Sequence, residues 1–176
     1  GGGATPPVTT PPVTTPPVTT PPVTTPTYPS PPASALSVSA PALTNFTAIL
    51  SEDVTSVPVG GTVNYTVVLT NSSSSPQSMV ADTSNGVSVP KASLRITNSA
   101  GQTVYPPPVK PLDAPPPPPA NGVAAIQPGQ SIFKTTALAV FPKAGIYQAV
   151  ATFTVAASTS DKAQAVTLPA LPITVK

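Results

Sequence analysis

No cysteine and no histidine occur anywhere in the 176 residues. Their absence removes Ser-His-Asp and Cys-His catalysis, zinc sites of the usual kinds and thiol redox chemistry. It also removes disulfides, so the compartment cannot be read from cystine. Charge is almost as scarce, at 7% of the chain. Lys91, Arg95, Lys110, Lys134, Lys143, Lys162 and Lys176 face Glu52, Asp53, Asp82, Asp113 and Asp161, a balance of +2 with no basic cluster. A surface that tracks phosphates needs several Lys or Arg on one face, so nucleic acid is not an expected partner. The carboxylates are not spaced like a calcium loop, and nothing favours a glycosidase pair. No cofactor, metal or enzymatic activity is expected. No apolar run approaches the ~20 residues of a membrane helix, so no transmembrane segment is expected either.

Proline is what the chain has in excess. The first 32 residues hold twelve prolines and no charge. Pro-Pro-Val-Thr-Thr runs four times from Pro6 to Thr25 and then degenerates through Pro26, Tyr28 and Pro29 to Pro32. Proline fixes φ, removes a donor and holds the preceding residue extended. Residues 1–35 therefore read as a stiff polyproline-II arm rising about 3.1 Å per residue, with a reach on the order of 90 Å. The five-residue period does not match three residues per turn, which argues for a spacer over a repeated ligand. An arm already extended loses little entropy on docking, so it is expected to lie along a partner. Val8, Val13, Val18 and Val23 would then enter shallow apolar sites. Tyr28 and Tyr105 sit beside prolines and are candidate partner anchors, with packing on proline rings as the equal alternative. The repeat threonines are candidates for O-linked sugar.

From residue 36 the text changes to strands. Leu36, Val38 and Ala40 alternate with serines, and Phe46, Ala48 and Leu50 share one side, which reads as a first strand in two pieces with Pro41 at a break or an edge. Val63, Tyr65, Val67 and Leu69 form the clearest period-two run. A weaker strand follows at 77–82. Leu94 and Ile96 lead through Asn98-Ser99-Ala100-Gly101 to Val104 and Tyr105, which spells a hairpin with a four-residue loop. Nine prolines then crowd residues 106–120, a surface loop that no central strand could contain. It could be a ligand for a proline-reading groove, though a stiff loop is the plainer reading. Strands follow at 123–126, 132–140, 144–155 and 163–175, the last interrupted by Pro169 and Pro172. Asn45, Asn64 and Asn71 open N-glycosylation sequons. With no helical period anywhere, the pattern predicts an all-β, Ig-like antiparallel sandwich of seven to nine strands over 36–176.

Three elements together resemble a bacterial immunoglobulin-like domain. They are Val59-Gly60-Gly61-Thr62 leading to Leu69-Thr70-Asn71-Ser72, the turn Ile126-Gln127-Pro128-Gly129-Gln130-Ser131, and the entry Ala144-Gly145-Ile146-Tyr147-Gln148-Ala149. In their order, with the 94–104 hairpin, they resemble the intracellular proteinase inhibitor (BsuPI-type) family over roughly residues 45–156. The resemblance implies a sandwich in which Tyr147 forms a tyrosine corner. Lys143 stands where an acidic residue is usual, so the corner is expected to be partial. No residue matches a reactive site, so inhibitor activity is not carried over. The Gly-Gly-Gly start before a Pro/Thr spacer resembles envelope lipoproteins just after their lipidated cysteine, which implies a lipid anchor before Gly1. An arbitrary starting point is the alternative.

The expected function is that of a non-catalytic structural or accessory protein of a bacterial cell envelope or surface-layer assembly, extracytoplasmic and docked on a larger protein complex. The alternative is a protease inhibitor or ligand-binding module acting through the 106–120 loop.

Overall fold

The computed structural model describes residues 1–21, 29–107, 121–138 and 141–176. Residues 1–21 form neither helix nor strand and are exposed throughout. The first strand opens at Leu36, where the alternation begins. The chain then forms β1 (Leu36–Ala42), β2 (Phe46–Glu52), β3 (Ser56–Val57), β4 (Val63–Asn71) and β5 (Gln77–Asp82). After one 3-10 turn at Ser84–Gly86 come β6 (Val89–Pro90), β7 (Ala92–Thr97), β8 (Thr103–Tyr105), β9 (Asn121–Ile126) and β10 (Ser131–Leu138). β11 (Gly145–Val155), β12 (Gln164–Thr167) and β13 (Leu171–Val175) complete it. The domain is all-β, as the sequence predicts, and nearly all its pairings are antiparallel. The short β3–β13 ladder is parallel.

One sheet has the order β1-β2-β4-β10 and faces a second with the order β3-β13-β11-β7-β8, while β6-β5-β9 forms a smaller third sheet. The strand count, thirteen among the described residues, exceeds the expected seven to nine. Two of the extra strands come from proline and turn chemistry. The expected first strand in two pieces is instead a hairpin, because Leu43 takes a left-handed turn at φ 52° and β2 folds back on β1. β1 is then an edge strand, which is why it tolerates Pro41. Similarly, Pro169 divides the last strand into β12 and β13, which occupy successive stretches of the same edge of β11. Leu168 bridges the break, its N–H donating to the Ala151 carbonyl at 3.0 Å.

The core lies between the two larger sheets. Val63, Tyr65, Val67 and Leu69 of β4 are buried, as are Tyr147, Ala149, Phe153 and Val155 of β11 and Ile96 of β7. Leu94, which alternation puts on the same face as Ile96, is only half-buried, since its strand lies beside the short outer strand β8. At 0% exposed, Phe153 marks the register of β11.

Tyr147 forms a complete corner. Its hydroxyl donates to the Lys143 carbonyl at 2.9 Å, and the Phe141 ring meets it edge-on with centroids 5.1 Å apart. The expected partial corner is corrected here: the acceptor is backbone, so the side chain at 143 does not matter.

A second polar anchor is Asn71, at the end of β4 and 0% exposed. Its Nδ2 donates to the Ser75 carbonyl at 2.9 Å and to the Ile126 carbonyl at 2.8 Å. Its Oδ1 accepts from the Ser73 N–H and hydroxyl. Its own N–H donates to the Gln130 carbonyl, and its carbonyl accepts from the Gly129 N–H. Gly129 sits at φ 76°, which a side chain would strain.

Two substitutions test this packing. Phe153→Ala should cost about 3–5 kcal/mol in a urea titration, by the cavity it leaves; a cost below about 1 kcal/mol would put the residue at the surface and shift β11 by one position. Asn71→Ala should cost about 3 kcal/mol, because buried carbonyls lose their donor. Only a few tenths lost there would mean that water replaces the amide and that the anchor is dispensable.

Candidate functional site

Six residues were expected to bind a partner; the structure describes four of them and does not gather those four into one place. Val8, Val13 and Val18 are 92%, 90% and 91% exposed on the arm, with nothing of their own sandwich against them. Val23 and Tyr28 lie outside the described residues. Tyr105 is half-buried on β8, where its pairing with Ile96 turns it toward the core. With Tyr65, Leu94, Pro106 and Lys134 it lines a pocket of about 240 Å³. Tyr105 therefore packs within the sandwich. The 106–120 loop is described only at Pro106 and Pro107, both exposed.

The three sequon asparagines are all engaged in the fold. Asn71 is sealed as above, the Asn45 amide donates to Gln77 Oε1 at 3.1 Å, and Asn64 binds Asp53 through its backbone N–H at 2.8 Å and its amide at 2.6 Å. Sugar on Asn71 is incompatible with its burial. The described repeat threonines, from Thr9 to Thr20, are by contrast exposed.

The outer face of the first sheet carries a feature not read from the sequence. Alternation turns Asn64, Thr66 and Thr70 of β4 away from the core, toward the outer face. Thr66 is nonetheless 3% exposed and bonds the Thr135 hydroxyl at 2.9 Å across to β10. Thr70 likewise meets the Ser131 hydroxyl at 2.7 Å. Between these rungs runs an apolar row in which Ile49, Val68 and Phe133 are direct cross-strand neighbours. The row leads to an open groove of about 560 Å³, walled by Val87, Val123, Ile132, Phe133 and Pro29 from the end of the arm. A groove of that size is in the range of small-ligand sites, and no charged side chain lines it among the described residues.

One carboxyl group lies inside among the described residues. Period two carries Glu52 to the same side as Phe46, Ala48 and Leu50, opposite Tyr65 and 1% exposed. Neither carboxylate oxygen nor the Tyr65 hydroxyl has a hydrogen-bond partner among the described residues. Burial pushes the carboxyl up from its ordinary 4.5 to about 7, and the Asp53 charge adds to the rise. Tyr65 is driven upward too, first by burial and then by the Glu52 charge. With 1% of its surface exposed, Glu52 is closed to a substrate. No group of three or more potential metal-ligating side chains occurs among the described residues, and no helix there is long and apolar enough to cross a membrane.

No protein-family model and no curated protein matches the chain. Among solved structures it is similar to a β-glucosidase of Erythrobacter marinus, at 12% identity and a TM-score of 0.35 over 72% of this chain and 15% of that one. It is also similar to a β-glucosidase of Listeria innocua, at 16% identity and a TM-score of 0.34 over the same shares. The chain spans about 15% of the length of these enzymes. Superposition that loose carries no argument about function.

The Glu52 site generates a pH dependence. Folding raises its pKa, so the folded state keeps a proton that the unfolded state releases between 4.5 and about 7. Stability should be full below the lower value and fall as pH rises through the upper one, by on the order of 3 kcal/mol. Urea midpoints measured from about pH 4.5 to about pH 8 should show the decline, and Glu52→Gln should flatten it. An unchanged slope in that variant would assign the decline to another group.

Proposed function

We propose that this protein is a non-catalytic accessory component of a bacterial cell envelope or surface-layer assembly, a β-sandwich held on a proline-rich tether and docked to a larger protein complex. The observation that carries the reading is the contrast between its two parts. The described repeats present Val8, Val13 and Val18 at 90% exposure or more, on backbone whose prolines restrict it before any partner arrives. The sandwich beside them closes its own polar anchors, Asn71 and Tyr147, internally. Apolar side chains repeated along a pre-extended backbone suit a contact whose entropic cost has been met in advance. A second contact from the sandwich would gain from the stiff link through a raised effective concentration. The extracytoplasmic setting belongs to the same proposal, supported by the likeness of the Pro/Thr spacer to those of envelope lipoproteins.

Deletion of residues 1–32 tests it. The melting temperature should stay nearly unchanged, since every strand among the described residues begins at or after Leu36, while the protein is released from the complex that co-purifies with the full chain. If the truncated chain remains bound as tightly, the arm is only a spacer and the reading fails.

A further inference from the structure

The groove beside β10 and the repeat arm share one chemistry. The repeat offers proline rings and valines with no charge. The groove offers Val87, Val123, Ile132 and Phe133, and its described wall already includes one proline of the arm, Pro29. Val87 and Val123 are 62% and 46% exposed, so much of that wall still faces solvent. Phe133 supplies an aromatic surface of the kind on which extended proline segments dock in other proteins. Neither side has to desolvate a charge, the usual cost that weakens such contacts.

We propose that this groove is the receptor for the Pro-Pro-Val-Thr-Thr arm of a second copy of the chain. Residues 1–21 are exposed along their whole length, so the chain's own described repeats leave its groove open. A copy's arm lies in its neighbour's groove, and that neighbour's arm is free for the next. Such a contact joins different surfaces on the two partners and is heterologous, so it closes into a ring or grows into a linear array. The row Ile49–Val68–Phe133 extends the groove over the first sheet, across strands about 4.8 Å apart, and provides a path for more than one residue of the incoming arm. The inference deepens the proposed docking role by naming the arm's receptor.

Sedimentation velocity on the full chain, run from micromolar to millimolar concentration, is the test. The mean mass should rise with concentration, and a synthetic peptide of three Pro-Pro-Val-Thr-Thr units should reverse the rise. The Val87→Lys/Val123→Lys variant should keep its melting temperature, since both sites are surface-exposed, and should weaken association by about tenfold or more as charge enters an apolar contact. A mass that stays monomeric throughout overturns the inference. So does association that the lysines leave unaltered, or a monomer whose groove is filled by its own arm, seen as peptide binding only after residues 1–32 are removed. Release of the arm-deleted chain from its native complex is a separate readout, so the proposed function can stand where this inference fails.

Discussion

The Asn71 amide is the point on which the packing of this sandwich turns. A buried amide with two donors and a two-lone-pair acceptor either finds its partners or costs several kcal/mol. Here it reaches the Ser73–Ser75 loop in one direction and the Ile126 carbonyl, 55 residues away, in the other. The ladders among β2, β4 and β10 start from this end: Asn71 pairs with Phe46, and the next residue, Thr70, pairs with Thr47 and Ser131. The Pro128-Gly129 turn must return so that the Gly129 N–H meets the Asn71 carbonyl. A slip of one residue on either strand would strand the amide as well as turn the apolar face outward. Hydrophobic pattern sets the face, and the amide fixes the position along it.

Charge scarcity has a structural counterpart. Where many sandwiches decorate their outer faces with ion pairs, this one closes its rungs with hydroxyls: Thr66 with Thr135, Thr70 with Ser131, Thr152 with Thr167. Hydroxyl pairs on a sheet add a few tenths of a kcal/mol to about 1 kcal/mol each and are insensitive to salt, unlike surface ion pairs. On the first sheet they also leave the described outer face neutral. A neutral, hydroxyl-rich sheet interrupted by an Ile49–Val68–Phe133 row can accept an apolar partner without desolvating charge.

Much of the fold was legible because period two is a strong signal where one face is buried. Alternation marks one face of Val63 to Leu69 and of Tyr147 to Val155, and the structure buries that face in both strands. Glu52 was equally legible in principle: the count that sends Phe46, Ala48 and Leu50 inside sends residue 52 inside as well. A carboxylate at that position is read as the polar end of a strand, and only the pairing with Tyr65 shows that the strand is still between the sheets there. The left-handed Leu43 was not legible, since glycine is the usual residue for such a conformation. Nor was the junction of the Asn71 and Pro-Gly motifs, a long-range pairing that a local pattern does not encode. The arm's stiffness was readable from proline, but the groove was not, because its walls come from separated segments around 29, 87, 123 and 132.

The mismatch between a five-residue repeat and a three-residue turn then acquires a consequence. In a polyproline-II helix each residue advances about 120°, so valines five apart point about 240° from one another. Val8, Val13 and Val18 therefore face three different directions around the rod. A single flat receptor would read one of them and miss the other two, which makes the repeat a poor continuous ligand for one surface. For a receptor that holds only a short stretch, the same geometry is an advantage: each repeat is a complete copy of the contact, presented at a new angle and about 15 Å further along. The contacts are individually weak and are strengthened by linkage along one chain. Spacing and binding are then not competing descriptions of the arm, because the unreached repeats serve as the spacer for the one that is held.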